Sequence, residues 1–434
     1  MPLCLTCHSL DLSAGSPERV WSETLEVIQK RASLGCDFCC LVLGVALDHA
    51  IKLTQSSNFE DLDDYVFGVH LSLLGNGNSA SKPLYNRLLV AVTRDIGSGT
   101  LKQYRVVSSQ MNHDHEICIV ADPDSPAYQS GLIGGRWLGM DITAPEYIKA
   151  ISEWVQTCIS SHEGCCQAIS DGAIFDPFLA NLPTRCIEVT ATGAHLKETL
   201  GEAGSYVTLS HRWNSETEIV KTTPFNYQER ISGADLGSLS KNFDAAITIV
   251  RKMRIKYLWI DSICIVQARD DWDQEKWRMG QYYQHALFTI SAIGNGAQQL
   301  PGSSFLGTQS PRSLVRLPFK QGGVQKGSVY FYKRDQNADR LFHIDVNNSE
   351  LNSRGWVFQE RLLSKRIIYF THRESFLECS SQIPRSFCND MVKRSPLQLD
   401  RDLAKLTLNP WLNKTGKAPN DSEHDSPLNV WVTA

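Results

Sequence analysis

Between Ser238 and Asn295 the apolar residues change period twice, and the changes predict four elements in succession. Phe243, Ala246, Ile247, Val250 and Met253 recur at helical spacing behind Ser240, a residue able to cap a helix. The basic Arg251, Lys252 and Arg254 gather near that helix's C-terminal end, where the backbone dipole is negative. Tyr257, Leu258, Trp259 and Ile260 then form a short unbroken apolar run, the pattern of a strand buried on both faces, and Asp261 ends it. Asp270, Asp271, Asp273 and Glu275 suit the positive start of a second helix, which Trp277, Tyr282, His285 and Ala286 continue toward an apolar strand at Leu287–Ile293. Helix, strand, helix, strand is the grammar of an α/β sheet, whose sites lie at the carboxyl ends of its strands.

The flanking segments extend this pattern. Upstream, Tyr206–Leu209 reads as a strand that delivers Ser210, His211, Arg212 and Trp213 to the first loop at that edge. Arg212 is suited to a phosphate or carboxylate and His211 can titrate; the equally weighted alternative is that Trp213 packs and Arg212 pairs with a local acid. Downstream, Arg354, Gly355 and Trp356, followed by Gln359, Glu360 and Arg361, open a helix packed through Trp356, Phe358 and Leu362, and Arg366–Phe370 supplies another strand. Arg354, Glu360 and Arg361 suit an ion-pair network, with anion binding as the alternative. Asp261 must be solvated, hydrogen-bonded or paired, and Arg212 or Arg354 is its expected partner. Glu275 suits an acid/base or a ribose-hydroxyl ligand, although a solvated acid at a helix start is the commoner role. Cys264, between Ile263 and Ile265, reads as buried.

Before this region, Ser16–Ala32 predicts a helix with Pro17 in its first turn. Tyr65–Leu73, Leu88–Thr93, Gln103–Val107 and Glu116–Ala121 predict strands of a small antiparallel sheet, with GNGN after Leu74 a hairpin loop rather than a phosphate loop. A linker over 122–145 leads to a helix at Glu146–His162 with Ile148, Ile151, Trp154, Val155, Cys158 and Ile159 on one face. Ser328–Tyr332 predicts a further strand. The chain therefore divides into an α+β region with cysteine pairs at 1–175, a main α/β domain at 176–395 and a polar tail at 396–434.

At 434 residues, with 42% hydrophobic and 21% charged residues, the composition is that of a globular protein. A formal charge of -4 and a pI near 6.3 give no broad basic field, so no nucleic-acid partner is expected. No apolar run approaches the roughly 20 residues of a membrane span, and MPLCLTCHSLDL is not a secretion signal, so an intracellular, cytoplasmic protein is expected. Thirteen cysteines in such a chain then argue for thiols, some of them metal-bound, rather than a disulfide framework. Cys4, Cys7, Cys36 and Cys39 form two CxxC pairs able to hold a structural zinc, with buried core thiols as the favoured alternative. Cys158, His162, Cys165 and Cys166 offer a second set, for which packing is also favoured.

Several blocks of the sequence resemble the fungal heterokaryon-incompatibility (HET) domain. They are SYVTLSHRW at 205–213, then YLWIDSICIVQ, DDW, RMGQYY and LFTISA within 257–292, and NSRGWVFQERLLSKRIIYF at 352–370. LPTRCIEV at 182–189 resembles the strand that leads into such domains, and cysteine pairs precede many of them. The chain departs from the family at Asn214, where the turn usually carries glycine. The resemblance implies a Rossmann- or flavodoxin-like, Toll/interleukin-receptor-like fold with a mainly parallel sheet. It implies a module of self/non-self recognition that triggers growth arrest or programmed cell death through self-association or a protein partner. The alternative is a nucleotide-processing enzyme that cleaves NAD or a related nucleotide, with Glu275 or Asp261 as the acid and Ser210, Arg212, Trp213 and Arg354 around the ligand. Related proteins usually continue with another helical block, of which LNVWVTA is read as the start, so that the final stretch is expected to be truncated.

Overall fold

The computed structural model describes residues 2–12, 21–56, 67–75, 85–94, 105–106, 116–162, 165, 176–294, 304–306, 313–333, 338–352, 354–381 and 384–386. The Ser16 cap, the GNGN loop beyond Gly75, Cys166 and the 396–434 tail lie outside them. In chain order the strands are β1 (Trp21–Thr24), β2 (Phe67–Gly75), β3 (Tyr85–Arg94), β4 (Arg105–Val106), β5 (Glu116–Val120), β6 (Arg185–Val189), β7 (Ala194–Glu198) and β8 (Tyr206–Ser210). They continue as β9 (Tyr257–Trp259), β10 (Thr289–Gly294), β11 (Val315–Gln321), β12 (Val324–Lys333), β13 (Arg366–Thr371), β14 (Ser375–Cys379) and β15 (Arg385–Ser386). The described residues form two compact units, one drawn from 1–138 and 311–340, the other from 139–310 and 341–386.

The first unit holds an antiparallel sheet in the order β1-β2-β3-β5-β12-β11, with β4 beside β3. The strands expected between 65 and 121 are all in it. The hairpin β11–β12 completes it from far along the chain, through the pairing of Tyr332 with Cys118. Alternation decides which residues reach the core: Ile117 and Ile119 join Phe38, Val42, Phe319 and Phe331, whereas Cys118 and Val120 pack on the other face with Tyr332. Phe38 meets Phe331 edge-on with centroids 5.1 Å apart. The helix expected over 16–32 begins later, at Leu25, with Thr24 as its cap. Trp21–Thr24 is a strand instead, because its backbone pairs with β2, Trp21 opposite Leu71.

The second unit is built on an eight-stranded sheet in the order β15-β14-β13-β10-β8-β9-β6-β7. The three central strands expected at 206–209, 257–260 and 287–293 are β8, β9 and β10, side by side in the order β9-β8-β10, and β13 adds a fourth in parallel. The sheet is mixed rather than mainly parallel, since β6 runs against both β7 and β9 and β14 runs against both β13 and β15. The short β6–β7 and β13–β14 connections allow only an antiparallel return, whereas each parallel pair needs a longer crossover. Every residue of β8, β9, β10 and β13 is buried, so both faces of the centre are covered.

The expected second helix is broken in two, Arg269–Glu275 and Met279–His285. Tyr282 and Tyr283 of the later piece bring their rings within 5.4 and 5.5 Å of Trp259. Gly355–Leu363 is helical, but of the three residues expected to pack it only Leu362 is buried. Val357, Glu360, Leu362 and Leu363 are buried while Phe358 is 40% exposed, and Trp356 sits at the margin against Trp272. Trp259→Ala, which empties a site that is 1% exposed, should cost about 3–5 kcal/mol in denaturant unfolding. Phe225→Ala, at a side chain 99% exposed, should change stability by less than about 0.5 kcal/mol.

Candidate functional site

Strands β8 and β9 end together at the carboxyl edge of the parallel core, and their last residues meet. β8 delivers Ser210 and His211, both buried. Ile260 follows β9, and Asp261 opens a one-turn helix, Asp261–Cys264, that turns its carboxylate back toward the loop after β8. Asp261 Oδ1 lies 2.9 Å from His211 Nε2 and accepts the Ser262 N–H at 2.7 Å, while Oδ2 accepts the Trp213 indole N–H at 2.8 Å. The His211 ring stands edge-on to Phe243 at 4.7 Å, so the long helix Lys241–Lys252 walls the imidazole in. Burial pushes the Asp261 carboxyl up, but the His211 charge and hydrogen bond, the indole and the Ser262 N–H outweigh it and hold the group below its ordinary value.

The expected arginine partners of Asp261 stand elsewhere. Arg212 projects outward and pairs with Glu350, both about half exposed. Arg354 precedes the Gly355–Leu363 helix and acts through its charge on Glu360. An indole and an imidazole reach the carboxylate because both lie on the same tight turn after β8. Arg212 lies between them in sequence and points away. Asn214 has φ −147°, so the turn needs no left-handed residue; its side chain instead caps Ser215–Val220, accepting the Thr217 N–H at 3.0 Å.

Glu360 completes the cluster. It is buried at the inner face of the Gly355–Leu363 helix, where the Ser210 and Tyr283 hydroxyls hydrogen-bond to it, and its Oε2 has no hydrogen-bond partner. Burial, reinforced by the nearby Asp261 charge, raises its carboxyl to about 8. Two neighbouring carboxyls are thus driven apart, Asp261 ionised and Glu360 protonated near neutral pH. The helical phase of Glu360 was the available signal for this role: three residues after Val357, it falls on the buried side, where a lone acid cannot stay solvated. The expected network of Arg354, Glu360 and Arg361 is divided, with Arg354 acting on Glu360 through its charge and Arg361 turned to other partners. Arg361 binds Glu378 at 3.5 Å and the Asn347 carbonyl oxygen of its side chain at 2.9 Å, and it lies over the rings of Phe342 and Tyr369.

Glu275 is in a different environment. It is buried and accepts the Tyr282 hydroxyl at 2.8 Å, the Thr184 hydroxyl at 2.9 Å and an Arg278 N–H at 3.1 Å, sharing none of these partners with Asp261. Thr184, Arg278 and Tyr282 line a cleft of about 340 Å³ with Glu198, Gln281 and His285. Cys264 is buried and its thiol is pushed up to about 12 by burial, which suits a core residue and not a nucleophile.

Two cysteine clusters share no residue with this edge. In the first unit Cys39 Sγ lies 3.5 Å from Cys7 and 3.9 Å from Cys4, and the four sulfurs of Cys4, Cys7, Cys36 and Cys39 are mutually within 4.8 Å. Four sulfurs about 2.3 Å from one zinc stand about 3.8 Å apart, so this set can hold a metal. In the second unit Cys158, His162, Cys165 and Cys379 meet the same distance limit.

Residues 206–360 match the family model described as Heterokaryon incompatibility protein (HET). No curated protein matches the chain, and no solved structure does. Among the described residues no helix is long and apolar enough to cross a membrane.

The pH dependence of stability follows from Glu360. Its folded value lies above the unfolded one, so the stability it contributes is complete below about pH 4.5 and is lost as the pH rises toward about 8. Asp261 has the opposite sign and contributes above its unfolded value, losing that contribution as the pH falls. Glu360→Gln should therefore flatten the decline in melting temperature between about pH 5 and pH 8 and be the more stable form at the alkaline end, as thermal melts across that range will record.

Proposed function

From the premise that the chain carries a HET domain, we propose that it is a fungal incompatibility signalling module that arrests growth or triggers programmed cell death on self-association or on meeting a protein partner. One observation carries this reading. The three blocks that resemble the family converge on one hydrogen-bonded cluster, the β8 turn through His211 and Trp213, the end of β9 through Asp261, and the Gly355–Leu363 helix through Glu360. Such a cluster ties together segments far apart in sequence, and Arg212 and Arg354 at its rim offer cationic contacts to a partner. The order of the parallel strands, β9-β8-β10-β13, counts second, first, third, fourth along the chain, which supports a flavodoxin-like, Toll/interleukin-receptor-like reading of this part of the sheet. In the first unit the Cys4, Cys7, Cys36 and Cys39 set acts as a structural zinc site.

A second reading, nucleotide processing at the same edge, is favoured by the divergent carboxyls of Asp261 and Glu360, a pattern shared with acid/base sites. Nicotinamide release from NAD by the assembled protein would raise this reading above the first.

Expression of the wild-type chain in a fungal host should arrest growth, and a host that grows normally at high expression overturns the proposal. Asp261→Ala leaves a buried imidazole without its carboxylate and should cost about 3 kcal/mol of stability and abolish the arrest. Arg212→Ala, which loses only an exposed ion pair worth about 0–1 kcal/mol, should melt almost as wild type and weaken the arrest. Thermal melts beside colony growth separate the two effects.

A further inference from the structure

Outside the HET match, the helix Pro145–Ser161 ends in a group of side chains that nothing so far has used. Cys158 and His162 are four residues apart, which places them one above the other on a single helix face. The helix stops at His162, whose backbone is extended, and the chain turns back so that the Cys165 N–H reaches the His162 carbonyl at 2.9 Å. That return puts Cys165 beside Cys158. The fourth member comes from more than two hundred residues away: Cys379, the last residue of β14, lies with its Sγ 3.5 Å from His162 Nδ1. All four ligand atoms are within 4.8 Å of one another, and the three cysteines are buried. A tetrahedral zinc with sulfur at about 2.3 Å and nitrogen at about 2.0–2.1 Å requires ligand atoms about 3.5–3.8 Å apart.

A second and independent feature is the charge beside the group. Arg366, at the start of β13, is fully buried, and no carboxylate among the described residues pairs with it. Its Nε donates to the Leu287 carbonyl at 2.7 Å, its Nη1 lies 3.7 Å from Cys158 Sγ and donates to the Cys165 carbonyl at 3.4 Å, and its Nη2 has no hydrogen-bond partner. A buried guanidinium facing neutral thiols is costly. A zinc ion held by three thiolates and one neutral imidazole carries a single negative charge, which a lone arginine balances.

We propose that Cys158, His162, Cys165 and Cys379 bind a structural zinc ion, with Arg366 as its buried counter-charge. The ion ties the end of the helix Pro145–Ser161 to the β13–β14 hairpin and so links the stretch before the HET match to the stretch after it. Sequence spacing shows three of these ligands, and the fourth, Cys379, is a neighbour only in space. The inference is independent of the incompatibility reading.

X-ray absorption at the zinc edge of the tag-free full chain, reconstituted with zinc and desalted, tests it. With both cysteine clusters loaded the protein should hold about two zinc ions, with roughly 3.5 sulfur and 0.5 nitrogen neighbours per zinc; with this cluster alone loaded, about one zinc with three sulfurs and one nitrogen. His162→Cys should keep the zinc content and convert the shell to sulfur alone, and Cys379→Ser should lose about one zinc per chain. A wild-type protein that retains no zinc, or a sulfur-only shell, overturns the proposal, and so does a nitrogen signal that survives in His162→Cys.

Discussion

A carboxylate at the end of a strand covered on both faces keeps only about 15% of its side chain in contact with solvent, and the second unit is arranged around that constraint. Asp261 follows an apolar run in which every residue is buried, so its charge has to be met by protein groups. His211, Trp213 and the Ser262 N–H meet it. Each of these contacts imposes a requirement of its own. The loop after β8 must turn tightly enough to bring both rings to one carboxylate, and Phe243 of the Lys241–Lys252 helix must close over the imidazole. Glu360, buried beside the Asp261 charge, is kept protonated near neutral pH by its burial and by that charge, against the opposing pull of the Ser210 and Tyr283 hydroxyls.

The mixed sheet follows from how its strands are connected. The long crossovers through Ser215–Lys252 and Asp261–His285 allow β8, β9 and β10 to run in parallel, and the edges are filled by hairpins, β6–β7 on one side and β13–β14–β15 on the other. Parallel strands at the centre place their carboxyl ends on one edge, which is why three segments distant in sequence contribute to a single cluster. The antiparallel edges contribute something different: β14 carries Cys379 to the end of the Pro145–Ser161 helix, and β13 carries Arg366 beside it.

The sequence by itself determined the elements whose periodicity is strong and local. The long helix after Ser240, the apolar strands at 257–260 and 287–293, the strands between 65 and 121 and the residues at the carboxyl edge are all legible from the order of apolar and polar positions. The two CxxC pairs are legible from their spacing. Tertiary structure alone decided who pairs with whom. Hydrogen-bond partners of buried charges depend on which turns fold back, so Asp261 received His211 and Trp213 where arginines were expected, and Glu275 was drawn to Thr184, Arg278 and Tyr282. Strand direction depends on connection length and sheet order, so a pattern of buried strands could not distinguish a parallel sheet from one with antiparallel edges. Metal ligation depends on distance in space, and no spacing rule reaches from Cys165 to Cys379, which meet only because β14 returns past the end of a helix more than two hundred residues earlier in the chain.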